Sequence, residues 1–351
     1  MILTVIGVGR ARRASSGLPA DAAAHGTAAV IVAARNEADS MGDCVRALSA
    51  QTRDNLRFVI VDDRSTDATG NEAERAAAQD PRFTIIRRLP EAYPGKKTAL
   101  LEGIQAAGEV DFLLFTDADC APGPRWAEIL ASHLAAGAAL VAGYSPHRPR
   151  RDWVGRAAGL ETAGNAVMAS GLIGLGSPVM CTARNLGYTR AAYEAEGGLA
   201  PLIDEPSGDD TLMLQRIARG GRRIRYTFDP ESYVTTEGPR SLGQWFTQKS
   251  RHLSTVRRYP ARALAAVALV RTMDAFVVIG LPLWLLGLVG PEPLWAAATK
   301  VTADAAGLWL GLGALGERKR LRDLPLLELL HSPLLLAAGL LGLIRKPRWK
   351  S

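Results

Sequence analysis

Two aspartates one residue apart, Asp117 and Asp119, follow the apolar run Asp111-Phe-Leu-Leu-Phe-Thr116. Alternate residues at a strand end bring two carboxylates together, and their repulsion must be offset by a cation. A hard divalent ion on one or two carboxylates, its shell completed by substrate phosphates, is the usual Mg2+ arrangement. Three further polar clusters also end apolar runs: Arg35-Asn36-Glu37, Asp62-Asp63-Arg64-Ser65-Thr66-Asp67 and Lys96-Lys97. Taken singly, each has a plain structural explanation. The aspartate and serine cluster could be a turn with a helix cap, and the lysine pair a solvated loop. A second carboxylate pair, Asp209-Asp210, precedes a segment carrying Leu212, Leu214 and Ile217 at helical spacing. Asp209 could simply cap that helix. A carboxylate within reach of a hydroxyl can also act as a general base.

The runs that carry these clusters alternate in type. Ala28-Ala-Val-Ile-Val-Ala33 reads as a strand buried on both faces, and Arg57-Phe-Val-Ile-Val61, Phe83-Thr-Ile-Ile-Arg87 and 111–116 read as further strands. Residues 38–50, 66–79 and 97–107 read as helices between them. Regular β–α–β units predict an α/β domain with a mostly parallel sheet and helices on both faces. In such sheets ligands bind beyond the carboxyl ends of the strands, where all four clusters fall.

In order, these elements resemble the nucleotide-sugar-binding half of the family 2 inverting glycosyltransferases, which have the Rossmann-like GT-A fold. The matching elements are Arg35-Asn-Glu37, Asp62-Asp-x-Ser-x-Asp67, Gly95-Lys-Lys-Thr-Ala-Leu100 and Asp117-x-Asp119. The resemblance implies that Glu37, Asp62 or Asp63, and Asp117 hold the nucleotide base and ribose, with Arg35, Lys96 and Lys97 in the same binding region. It implies that Asp119, beside Asp117, binds a divalent metal (Mg2+ or Mn2+) bridging the diphosphate. Cys181-Thr-Ala-Arg-Asn185-Leu-Gly-Tyr-Thr-Arg190 is similar to the family's Gly-x-Asn-x-Ala-x-Arg-Arg segment, departing at Ala183 and Gly187, and implies an acceptor-side Asn185. Asp209-Asp210-Thr-Leu-Met-Leu-Gln-Arg216-Ile217 is similar to the family's Glu-Asp-x-x-Leu-x-x-Arg-Leu element, whose Asp, here Asp210, is the general base. Gln248-Lys-Ser-Arg251-His252 resembles the Gln-x-x-Arg-Trp motif of processive synthases and ceramide-glucosyltransferase-like enzymes, with His252 in place of Trp. Gln248 and Arg251, one helical turn apart, can both reach the diphosphate. The resemblance covers roughly residues 28–258.

Charge divides the 351-residue chain unevenly. Residues 1–239 hold 26 Lys and Arg against 29 Asp and Glu, a net of −3, whereas 240–351 hold 16 against 6, a net of +10. The basic excess borders apolar runs, which points to anionic membrane rather than to nucleic acid. Three apolar stretches follow Pro260: Ala261–Gly290, Val301–Gly316 and Leu324–Ile344. Only the first comfortably reaches the ~20 residues that a bilayer requires, and it contains Arg271 and Asp274. Asp304 lies in the second; Glu328 and Pro333 lie in the third. Burial inside a soluble domain is the alternative. Residues 1–26, an apolar nonapeptide followed by Arg10, Arg12 and Arg13, read as a frayed tail or as the remnant of an anchor. The three cysteines have neither metal nor disulfide spacing, which suits a reducing compartment.

These observations predict a GT-A catalytic domain at 27–258 and a membrane-associated helical region at 259–351. The expected activity is inverting transfer of a sugar from a nucleotide diphosphate, UDP-linked by expectation, to a hydroxyl of a lipidic or membrane-embedded acceptor. The catalytic domain is expected on the cytoplasmic side of the membrane, with an even number of crossings and a cytoplasmic C-terminus carrying Arg345, Lys346, Arg348 and Lys350. A processive polysaccharide synthase is the alternative enzyme, and a non-catalytic membrane scaffold the alternative class.

Overall fold

The fold is that of a computed structural model, which describes residues 2–17, 26–78, 80–93, 95–205, 207–254 and 256–344. The chain runs α1 (Ile2–Ser15), β1 (Ala28–Ala34), α2 (Ala38–Ser49), β2 (Leu56–Asp62), α3 (Thr69–Ala77), β3 (Phe83–Arg87), α4 (Lys96–Ala106) and β4 (Phe112–Phe115). It continues through β5 (Cys120–Pro122), α5 (Trp126–Ala135), β6 (Leu140–Gly143), α6 (Trp153–Gly174), β7 (Leu186–Thr189), α7 (Arg190–Ala195), α8 (Thr211–Arg219), β8 (Ile224–Thr227) and β9 (Val234–Thr236). Four longer helices close it: α9 (Leu242–Ser254), α10 (Ala261–Leu285), α11 (Glu292–Ala314) and α12 (Leu324–Ile344).

Seven strands form one sheet in the order β3-β2-β1-β4-β7-β6-β8. The neighbours are parallel except at β7, which runs against both β4 and β6. All seven residues of β1 are buried, as an apolar run without alternation requires. Helices cover both faces. One core layer joins Val59, Val61, Leu100 and Ile104, and the other joins Val30, Val32, Phe58, Ile60 and Trp126. Register aligns the functional ends. Ala34 lies opposite Asp62, and Asp62 opposite Arg87, so β1, β2 and β3 end on one line.

The N-terminus departs from the frayed tail. Residues Ile2–Ser15 form a helix docked on α6, with Val8 and Ala11 buried. The cause is close backbone approach. A Cβ at Gly7 would lie 2.0 Å from the Gly171 carbonyl oxygen, and one at Gly174 1.9 Å from that of Gly7. Glycines that look like breakers in the sequence are here the contact surface. Residues 18–25 of the expected tail, and the basic cluster Arg345 to Lys350, lie outside the described residues.

Beyond Pro260 the helices keep the expected positions, but α11 starts at Glu292, nine residues before the apolar run. Among the described residues one helix, Ala261–Leu285, is long and apolar enough to cross a membrane by length and composition. Its surface includes Leu269, Val270, Met273, Phe276 and Ile279, all well exposed. A contiguous apolar face of this kind belongs against lipid or a partner.

Candidate active site

The sheet end is organised by Asp63. Its carboxylate is fully buried, accepts from Arg64 Nε at 2.9 Å and from Arg88 Nη1 at 2.6 Å, and takes the Gly95 amide at 3.2 Å. Arg88 also donates to Glu102, Thr98 and the Tyr93 carbonyl. Gly95 has a φ of 137°, a conformation open to glycine. This hub fixes the turn that presents Lys96. Asn36 and Arg64 have φ values of 52° and 57°, rare for residues with side chains. Cross-bonds hold Asn36 there: its amide donates to Ser65 Oγ, and its Oδ1 accepts from the Thr66 amide, both at 2.9 Å. Such strain concentrates at functional sites.

Lys96 is the electrostatic centre. Its Nζ lies 2.6 Å from Asp117 Oδ1 and 3.2 Å from Asp209 Oδ2. Burial opposes its charge, but Asp117 and Asp209 outweigh that and hold the ammonium above the usual lysine range. Burial likewise pushes Asp117 up, while Lys96, then Arg184 and Arg251, bring it below the usual carboxylate range. One lysine therefore joins both predicted carboxylate pairs.

Asp210, not Asp209, is the N-cap of α8. Its carboxylate accepts from the Thr211 and Ala183 amides, the latter at 2.9 Å. Burial, then the neighbouring Asp209, push it up to about 6. A carboxylate so placed can exchange a proton near neutrality.

A cavity of about 690 Å³ joins these groups. Lys96, Asp117, Asp119, Asp209 and Asp210 line one part, and Gln248, Arg251 and His252 from α9 line another. It reaches Arg271 on α10 and Leu335 on α12. His147, 4% exposed, also lines it and is pushed down to about 3 by burial, then by Arg184 and Lys249, so it stays neutral.

Several predicted residues do other work. Asn185 is a correction. It is fully buried, with its Oδ1 accepting from Trp126 Nε1 at 3.0 Å and its Nδ2 donating to the Tyr144 and Ser232 carbonyls at 2.9 and 2.8 Å. It ties α5 to the loops after β6 and β8 and does not line the cavity. Lys97 lines the cavity, yet its ammonium donates to the carbonyls of Glu205 and Ser207 and so props the loop before Asp209. Arg35, Glu37, Asp62 and Asp63 lie outside the cavity's lining, around the ends of β1 and β2. Asp62 is 7% exposed and accepts from the Ser65 amide at 3.1 Å.

Sequence reasoning gave no site role to Arg184, Glu161, Lys249 or Arg271, all of which line the cavity. Glu161 accepts from Lys249 at 2.6 Å and from Trp245 Nε1 at 2.9 Å. Arg184 adjoins Asn185 inside a segment already singled out, so its charge next to a matched motif was an available signal.

The donor set at Asp117, Asp119 and Cys120 lies within 4.8 Å and can be tested for a metal. Burial, then Asp119 and Asp117, raise the Cys120 thiol and keep it protonated. Its sulfur is a soft donor, which leaves the two carboxylates for a hard ion. That hard oxygen set fits Mg2+ or Mn2+.

The family model described as "Glycosyl transferase family 2" matches residues 29–190. A 90-residue stretch is 33% identical to a Bacillus subtilis (strain 168) protein named "Putative glycosyltransferase EpsH", covering 26% of this chain and about a quarter (25%) of that one. Across nearly the whole chain, the fold is similar to that of the mannosyltransferase PcManGT from Pyrobaculum calidifontis, solved with GDP-Man and Mn2+. The TM-score is 0.59 at 20% identity, with 97% of this chain and 94% of the other covered. Residues 29–190 thus match the glycosyl transferase family 2 model, within a fold of the GT-A type.

Proposed function

We propose that the protein is a membrane-bound inverting glycosyltransferase that moves one sugar from a nucleotide diphosphate to a hydroxyl of a lipidic acceptor. The observation that carries this reading is the continuity of one cavity from Lys96, Asp117 and Asp119 past Asp210 to α10 and α12. Glu37 and Asp62 flank the nucleotide at the ends of β1 and β2, and Asp63 holds the wall behind it. Asp119 and Asp117 would hold a divalent cation, which would supply charge neutralisation for the leaving diphosphate. Gln248 and Arg251 bind that diphosphate from α9. Asp210 accepts the acceptor's proton as the new C–O bond forms. The bond from the anomeric carbon to the diphosphate breaks, and its electron pair leaves with the nucleotide. A single displacement inverts configuration. The donor is UDP-linked, and the domain faces the cytoplasm, where nucleotide sugars are made.

Single transfer is favoured over polymerisation, since His252 replaces the Trp of the processive motif and α10 alone among the described residues qualifies as a span. The test uses the full chain in bilayer nanodiscs with radiolabelled UDP-sugars, Mn2+ and a lipid extract. Label should enter the organic phase, one sugar per lipid by mass spectrometry. Label found only as free sugar or as water-soluble polymer would overturn the reading.

A further inference from the structure

The acceptor half of the cavity holds a cation that no step above employs. Arg271 lies in the middle of α10 and lines the cavity, as do Tyr259 and Leu335. An ionisable residue within an apolar, exposed helix is retained where it serves a partner. Asp274, 1% exposed, takes its Nη2 at 3.0 Å. The other terminal nitrogen, Nη1, is shielded from water and has no hydrogen-bond partner. Asp274 is also 4.0 Å from Lys300, so its charge is shared.

Among the described residues, none of the carboxylates lining the cavity forms an ion pair with Arg271. Glu161 is paired with Lys249, Glu205 with Arg258, and Asp117 and Asp209 with Lys96. Arg184 faces the same cavity and, among the described residues, forms no ion pair; its Nε donates to Thr182 Oγ1 at 3.3 Å. Two guanidiniums that form no ion pair with a cavity-lining carboxylate among the described residues thus border a chamber whose walls include Ala166, Ala169, Met180 and Leu335. Guanidinium geometry matches phosphate.

We infer that the acceptor is an anionic, hydroxyl-bearing phospholipid. Its phosphate sits on Arg271, its chains run along α10 and α12, and a hydroxyl of the same headgroup reaches Asp210. This rests on the cavity being the site of glycosyl transfer.

The experiment measures binding of dioctanoyl phosphatidylglycerol, dioctanoylglycerol and inorganic phosphate to the full chain in neutral detergent, by calorimetry. The phosphatidylglycerol should bind at least about tenfold more tightly than dioctanoylglycerol, and Arg271→Gln should erase that difference while Arg271→Lys keeps part of it. Inorganic phosphate should not compete at lipid-matched concentrations. Equal binding of the two lipids, an unaltered preference in Arg271→Gln, or competition by free phosphate would each overturn the proposal. Where Arg271→Gln fails to fold because buried Asp274 loses its guanidinium, the double variant Arg271→Gln/Asp274→Asn replaces it, with the same outcomes. Binding of UDP-sugar with Mn2+ is read in the same samples. Its absence from the native protein would refute the glycosyltransferase reading while leaving the lipid result to be judged separately.

Discussion

Charges at the sheet end and charges among the C-terminal helices are spent differently. At the sheet end Lys96 is divided between Asp117 and Asp209, and all three border open cavity. Among the helices Lys300 closes on Asp304 at 2.9 Å and Glu328 at 2.5 Å, while Arg156 Nη2 closes on Asp323 Oδ1 at 2.6 Å. Those pairs join α11 to α12, and α6 to the turn before α12. The first group has capacity left for a ligand; the second is consumed by architecture. Residues that interrupt the apolar runs are therefore each other's partners. Arg271 belongs to both groups, with one nitrogen on Asp274 and one without a partner.

This contrast is broken most sharply at Asp119. Asp119→Ala should abolish donor-dependent turnover, and EDTA should do the same to the native protein, while thermal unfolding stays unchanged. Full turnover in metal-free buffer, or a large loss of stability, would place Asp119 with the architectural group.

Next in size is Asp210. Asp210→Asn should keep nucleotide binding and lower kcat by about 10²–10⁴. Because the base must be deprotonated and Asp210 is pushed up to about 6, native kcat should fall as pH drops through that value. That acid limb should be missing from Asp210→Asn. A limb that survives, together with a crippled Asp209→Asn, would move the role to Asp209.

Much of this was legible in the sequence, for identifiable reasons. Strands buried on both faces are continuous apolar runs, and the strand-end rule points directly at Asp117, Asp119 and Lys96. Asp210, Gln248 and Arg251 were legible as motifs. What escaped depends on distant partners. Lys97 looks like its neighbour Lys96 until its ammonium meets carbonyls more than 100 residues away. Asp63 looks like Asp62 until Arg88, 25 residues on, closes over it. The docking of α1 depends on glycines matched across two helices, which no local periodicity reveals.

Asn185 tests that lesson on a single side chain. As an acceptor contact, its loss would lower kcat/KM and leave stability alone. As a buried bracket for Trp126, Tyr144 and Ser232, Asn185→Ala should destabilise the protein by about 3 kcal/mol, since several polar groups lose partners. Denaturant melts of detergent-solubilised protein decide between the two. An unchanged midpoint with impaired acceptor use would restore Asn185 to the site.

The smallest effect is expected at Lys300, where the architectural group can be tested without touching the cavity. Lys300→Met keeps the length and apolar stem of the side chain but removes the ammonium that holds Asp304 on α11 and Glu328 on α12. Its side chain is 22% exposed and that of Glu328 15%, so water compensates only in part. The loss should be about 1–3 kcal/mol, read as a lower thermal midpoint. Lowering the pH should narrow the gap between variant and native protein, because burial holds the Glu328 carboxyl above the usual carboxylate range and, once protonated, it no longer needs the ammonium. Donor binding should be unchanged, since none of these side chains lines the cavity. A variant that melts like the native protein but binds nucleotide sugar poorly would show that the helical charges act on the site after all, and the division between the two groups would fall.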